Sequence, residues 1–129
     1  MISLAVFFSC NKENSNDIPY VPVDVVINIT NYAALNAPGG WAYVSGGVQG
    51  IVIYRQTLDQ FFAIDRCCSY LPTNRNQVSV ESGTFLKDPV CGSKFNMVDG
   101  GSVVSAPASR PLKRYNVTYD GNLTVHVYN

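Results

Sequence analysis

A single histidine and the absence of any C-x-x-C pair restrict the metal and catalytic chemistry open to this 129-residue chain. A structural zinc site draws on four nitrogen or sulfur ligands at recognisable spacing, and no such spacing is present. Nucleophilic catalysis needs a base beside the nucleophile; His126 is the only imidazole, and nothing local pairs it with Cys67 or Cys91. Charged residues make up only 14% of the chain, nine basic against nine acidic, so there is no basic footprint for nucleic acid or an anionic membrane surface. No apolar run approaches the ~20 residues that span a bilayer. No phosphate-cradling glycine loop precedes a helix; Gly46-Gly47 and Gly50 read as hairpin punctuation. Helix formers such as Leu, Glu and Lys are scarce.

What is plentiful is Tyr, Val, Thr and Phe, a bias toward strands. The length suits one domain that buries roughly two-thirds of its unfolded surface. Short apolar or alternating runs predict strands over 23–29, 41–44, 50–55, 60–65, 77–80, 84–87, 102–104, 114–119 and 123–128. Residues 31–36 read as a short helical turn with Asn31 as its cap, ended by Pro38-Gly39-Gly40. Residues 56–59 read as a hairpin connection, and Asp120-Gly121-Asn122 as a tight turn. The fold class is therefore all-β, of sandwich or barrel-like type.

The first ten residues, Met1-Ile2-Ser3-Leu4-Ala5-Val6-Phe7-Phe8-Ser9-Cys10, form an apolar stretch closed by a cysteine. A polar run over residues 11–17 follows at once. The pattern resembles the end of a bacterial lipoprotein signal, in which the cysteine is lipidated and becomes the new N-terminus. No basic segment precedes Ile2, so the stretch reads as a signal truncated at its start. The organisation expected is a signal segment over 1–10, a polar tether over 11–20 and a β domain over 21–129.

If Cys10 carries lipid, Cys67, Cys68 and Cys91 remain, and in an oxidising compartment such a trio resolves into one disulfide and one free thiol. Adjacent Cys67 and Cys68 point to opposite faces when extended, which argues against both binding one metal. Asp65, Asp88 and Asp99 are acidic candidates, each also accounted for by turn formation. His126 lies in a strand and reads as a surface or satisfied core residue. Trp41, Tyr43, Tyr54 and Tyr70 read as core or cross-strand aromatics before a carbohydrate or peptide surface. The N-x-T sequons at Asn28, Asn116 and Asn122 matter only in a glycosylating pathway.

One succession of motifs is more specific. Cys91-Gly92-Ser93-Lys94-Phe95-Asn96 is followed by Asp99-Gly100-Gly101, Ala106-Pro107-Ala108 and Pro111-Leu112. This order resembles the second half of a Rieske iron–sulfur domain, where an H-G-S-x-F turn precedes a D-G turn, a G-P-A loop and a P-L pair. Phe62-Ala63-Ile64-Asp65-Arg66-Cys67-Cys68-Ser69-Tyr70-Leu71-Pro72 likewise resembles the first cluster loop. The match covers residues 21–129, and it is most similar to Rieske-like lipoproteins of Bacteroidetes-type bacteria. The fold it implies is an antiparallel β-sandwich with a small two-loop subdomain at the former cluster site.

The resemblance also implies a changed ligand set. Family ligand positions fall on Cys68, Tyr70, Asp88 and Cys91, where a Rieske domain carries Cys, His, Cys and His. Two thiolates on one iron and two imidazoles on the other hold such a [2Fe–2S] cluster, and only Cys68 is retained. The implied reading is an envelope lipoprotein whose domain has lost its cluster and acts as a non-catalytic module. It would be held to the membrane by a lipid on Cys10 and would engage a protein partner, not nucleic acid. The alternative is an electron-transfer protein with a [2Fe–2S] or atypical metal centre. Converging family loops further imply a Cys68–Cys91 disulfide, worth about 3 kcal/mol by loop-closure entropy. Gly92, Ser93 and Pro107 are the implied loop supports. Metabolic labelling with a fatty-acid analogue checks the anchor: the chain should take up label, and Cys10→Ser should abolish it.

Overall fold

The structure is a computed structural model and describes residues 18–129; Cys10, the signal segment and most of the tether lie outside the described residues. Ten strands alternate with turns: β1 (Asp24–Asn28), β2 (Trp41–Val44), β3 (Ile51–Arg55), β4 (Phe61–Asp65), β5 (Ser79–Glu81), β6 (Phe85–Lys87), β7 (Lys94–Asn96), β8 (Ser102–Ser105), β9 (Arg114–Tyr119) and β10 (Thr124–Tyr128). The only helical turns among the described residues are short 3₁₀ segments, Ile29–Asn31, Ala33–Asn36 and Pro72–Asn74. The all-β expectation holds.

All strand pairs are antiparallel, in a six-stranded sheet ordered β1-β10-β9-β4-β3-β2 and a four-stranded sheet ordered β5-β6-β7-β8. The larger sheet is two three-stranded halves joined by a brief β4–β9 pairing, Ala63 opposite Tyr115 and Ile64 opposite Arg114. The halves face each other across one core, where Ile27, Val125 and Val127 meet Val44, Ile51, Ile53, Phe61 and Ala63. A second core packs Val52, Tyr54 and Ile64 against Leu86 and Phe95 of the smaller sheet and the flanking Val78 and Met97. Strand β3 therefore lies between two cores, and all five of its residues are buried. That is why Ile51-Val52-Ile53-Tyr54 is continuously apolar, where a strand with one wet face alternates.

Topologically the smaller sheet is an insertion, since residues 66–113 leave the end of β4 and return at β9, its neighbour. Asp65, fully buried at the departure point, holds this junction. Its carboxylate accepts from the backbone N–H of Val48 at 2.7 Å, Gln49 at 3.2 Å and Cys67 at 2.9 Å, and from the Tyr115 hydroxyl at 2.7 Å. One side chain thus ties the β2–β3 loop, β9 and the start of the insertion. Gly47 sits against this carboxylate with φ +64°, where a Cβ would collide with it.

Three local readings need correction. The helical turn begins earlier and is split in two; Asn28, not Asn31, caps it, accepting from Thr30 N at 2.9 Å. The strand expected over 77–80 runs from Ser79 to Glu81, with Gln77 making only an isolated bridge to Cys67. Strand β7 was not anticipated: Lys94-Phe95-Asn96 is too short to show a period, and its Phe95 is drawn into the second core. The two hairpin turns stand as expected; Asp120 Oδ1 accepts from the backbone N–H of Asn122, Leu123 and Thr124.

Burial first, then the hydrogen bond to Asp65 and its charge, push the Tyr115 phenol above its ordinary 10.0. The folded chain keeps a proton that the unfolded chain releases, so the unfolded state binds fewer protons once pH passes about 10. Stability should therefore fall as pH rises beyond that value. Tyr115→Phe leaves Asp65 short of one donor and should cost about 1–3 kcal/mol near neutrality. It should also flatten the alkaline decline. Urea titrations below and above the tyrosine range check both effects.

Candidate functional site

The inserted subdomain presents two loops and a supporting third. The first, residues 66–78, leaves β4 and is anchored by Cys68 N donating to Asn76 O at 2.8 Å. Leu71 at its tip takes φ +50° and leads into the 3₁₀ turn Pro72–Asn74. The second loop, residues 88–93 between β6 and β7, closes through Gly92 N to Asp88 O at 2.8 Å and Asp88 N to Ser93 O at 2.9 Å. Gly92 takes φ +83°, a conformation that favours glycine, so the Gly92-Ser93 turn reading holds. The third loop contains the cis Ala106–Pro107 peptide and the buried Ala108.

Cys68, Asp88 and Cys91 meet where the first two loops converge, with their ligand-type atoms all within 4.8 Å of one another. Cys68 and Asp88 are fully buried and Cys91 is half-buried. The Asp88 carboxylate is shared out asymmetrically. Oδ1 accepts from the backbone N–H of Val90 at 2.7 Å and lies 3.4 Å from Cys91 N. Oδ2 faces the sulfurs, accepting from the Cys91 thiol at 3.2 Å and from Asn76 Nδ2 at 3.1 Å. The Cys68 sulfur lies within 4.8 Å of the same carboxylate.

Ser93, fully buried, joins the second loop to the third. Its hydroxyl lies 3.1 Å from the Cys91 sulfur and accepts from Ala108 N at 2.9 Å. Burial alone would raise the Asp88 carboxyl, but the donors from Val90, Cys68, Cys91 and Asn76 outweigh it and hold the group below its usual range. The Cys68 thiol moves the other way, pushed far up by burial and by its carboxylate neighbour. Burial also raises Cys67, to about 11.

Of the expected site residues, Cys68, Asp88, Cys91 and Ser93 are thus brought together. Tyr70 packs half-buried against the second core, its backbone N–H toward the Cys68 sulfur. With Ser69, Leu71, Pro107, Ser109 and Arg110 it lines a cleft of about 200 Å³ beside the trio. Cys67 turns away: its sulfur contacts the carbonyls of Cys68 and Pro72, and it does not join the group. His126 lies on the larger sheet, Nε2 2.6 Å from Asp24 Oδ1. Asp65 holds the base of the insertion, and Asp99 serves its own turn, accepting from the Ser102 hydroxyl at 3.0 Å.

The expected Cys68–Cys91 disulfide needs correcting. Cys67, Cys68 and Cys91 are all free; the Cys91 thiol donates to Asp88 Oδ2, and the Cys68 sulfur lies close to both without a bond to Cys91. Asn76 was missed altogether. It sits in the polar run Thr73-Asn74-Arg75-Asn76-Gln77, which carries only a loop signal, yet its carbonyl and amide serve both sides of the site.

No family model matches the chain, and no curated protein matches its sequence. Solved structures do match in shape. The plasma membrane Rieske protein PetC3 of the cyanobacterium Synechocystis PCC 6803 superposes with a TM-score of 0.57 at 20% identity, covering 85% of this chain and all of that one. The ferredoxin of carbazole 1,9a-dioxygenase from Nocardioides aromaticivorans IC177 gives 0.51 at 21% identity, over 84% of this chain and 98% of that one. The fold is that of a Rieske-like domain: an all-β base bearing a small inserted sheet with paired loops.

Asp88→Ala removes the common acceptor of Val90 N, Asn76 Nδ2 and the Cys91 thiol. Orphaning buried donors costs about 1–3 kcal/mol each where water cannot replace the partner. A loss of several kcal/mol in chemical denaturation is expected, well above that of Asp99→Ala at the exposed turn.

Proposed function

We propose that the chain is an envelope lipoprotein whose Rieske-like domain serves as a non-catalytic binding or assembly module and holds no [2Fe–2S] cluster. The observation that carries this is the donor set at the loops. A Rieske centre takes two thiolates and two neutral imidazoles. Here the corresponding positions are Cys68, Tyr70, Asp88 and Cys91, and the chain's one histidine is engaged with Asp24 on the larger sheet. The residues present do not fit the cluster. Their polar groups instead satisfy one another through Asp88 and Ser93.

The frame around those positions is retained. Phe95 and Leu112 are buried in the second core, Gly101 N donates to Asn96 O, and Leu112 N donates to Gly101 O. What changed is the ligand chemistry rather than the fold. Leu71 and Val90 are exposed, one on each of the two site loops, and supply apolar surface for a partner in the envelope. Anchoring through Cys10 would leave the domain in the periplasm or at the cell surface.

Anaerobic reconstitution with iron and sulfide tests the reading. The parent should take up no stoichiometric sulfide and show no visible absorption of a cluster. Tyr70→His, Asp88→Cys and Cys91→His combined should gain visible absorption and the electron-spin signal of a reduced cluster. Stoichiometric iron and sulfide in the parent would overturn the proposal.

A further inference from the structure

A zinc site is favoured where ligand atoms are already gathered in a pocket that orients each of them. With Zn–S near 2.3 Å and Zn–O near 2.1 Å, tetrahedral geometry sets neighbouring ligand atoms about 3.5–3.8 Å apart. Cys68 Sγ, an Asp88 carboxylate oxygen and Cys91 Sγ lie within 4.8 Å of one another, with Cys91 Sγ 3.2 Å from Oδ2. Small side-chain shifts open that group to the required spacing.

We propose that Cys68, Asp88 and Cys91 bind one mononuclear zinc-class divalent cation, with the fourth coordination position left to solvent or an exogenous ligand. This rests on the reading that no iron–sulfur cluster occupies the loops. Two thiolates select a borderline-soft cation over magnesium or calcium, which take oxygen donors. The surroundings orient each donor. Val90 N holds Oδ1 and Asn76 Nδ2 holds Oδ2, so the carboxylate cannot swing away. The Ser93 hydroxyl, fixed by Ala108 N, is placed to donate to the Cys91 sulfur once that sulfur is a thiolate. Binding replaces the two S–H bonds of Cys68 and Cys91, and the hydrogen bond from Cys91 to Asp88, by two metal–sulfur bonds and releases two protons to solvent. No electron is transferred. Cys67, whose sulfur points to the carbonyls of Cys68 and Pro72, takes no part.

The test uses the full chain carrying Cys10→Ser, reduced, stripped with a chelator and titrated with Co²⁺ and then Zn²⁺. The expected result is a 1:1 break in the sulfur-to-cobalt absorption, lost on adding one equivalent of Zn²⁺ and not on adding Mg²⁺ or Ca²⁺. Zinc should also protect two of the three remaining thiols from alkylation in denaturant-free buffer. Cys91→Ser, at the half-buried position and so least disruptive, should weaken binding at least about 100-fold, since loss of even an outer partner costs 10–100-fold at such sites. Cys67→Ala should leave it unchanged, and circular dichroism confirms that each variant is folded. Absence of stoichiometric cobalt or zinc binding to the folded reduced chain overturns the proposal. So does undiminished binding in folded Cys91→Ser. Iron and sulfide uptake by the parent would instead sink the underlying reading, so the two failures are separable.

Discussion

A buried carboxylate must be surrounded by donors, and at Asp88 that requirement organises both site loops. The group is cut off from solvent, so each lone pair it presents has to be met from the protein itself. Backbone N–H groups of its own loop serve one oxygen; Asn76 and the Cys91 thiol serve the other. Asn76 lies on the first loop and the rest on the second, so satisfying one charge brings the loops into contact. The consequence shows in the neighbouring thiols. Stabilising the carboxylate as an anion beside Cys68 makes a second negative charge there costly, and that thiol keeps its proton. Asp88 and the sulfurs are electrostatically one unit.

Asp65 applies the same logic at the base of the insertion, where it is met by three backbone N–H groups and a phenol. Asp65 ties the small sheet to the larger one, and Asp88 closes the two loops within the insertion. Apolar packing joins the sheets through Val52, Tyr54 and Ile64, but packing is weakly directional. Hydrogen bonds to a fixed carboxylate set where the loops leave and where they close.

Much of the fold was legible in the sequence because strands of this chain carry their own markers. The apolar run Ile51-Val52-Ile53-Tyr54 announces a strand, and Asp120-Gly121-Asn122 announces the β9–β10 turn; burial of β3 on both faces emerges only from the two cores that meet there. Strand β7 left no such marker, for three residues cannot display a period of two against chance. The Asn31 cap failed for a related reason: Asn28 and Asn31 have equal capping chemistry, and the choice is made by β1 ending at its pairing with β10. At the site, the order of motifs placed Cys68, Asp88, Cys91 and Ser93 together. The role of Asn76 was invisible, since a loop asparagine becomes a carboxylate partner only through the fold of the chain around it.

The disulfide expectation is instructive about what proximity alone implies. Convergent loops do bring Cys68 and Cys91 close, yet closeness leaves open whether two thiols bond to each other or to something between them. A carboxylate at position 88 gives the Cys91 thiol an acceptor and lies within 4.8 Å of both sulfurs. With cysteine at that position the same loops would gather three sulfurs; with aspartate they gather two sulfurs and one hard oxygen. The backbone frame supports either arrangement, as the close turn at Gly92 and the Ala108–Ser93 bond depend on neither ligand type. A fold that positions its loops through second-core packing and backbone hydrogen bonds can therefore exchange ligand residues without losing its shape, and the chemistry of the site is then set by the few side chains that the frame brings together.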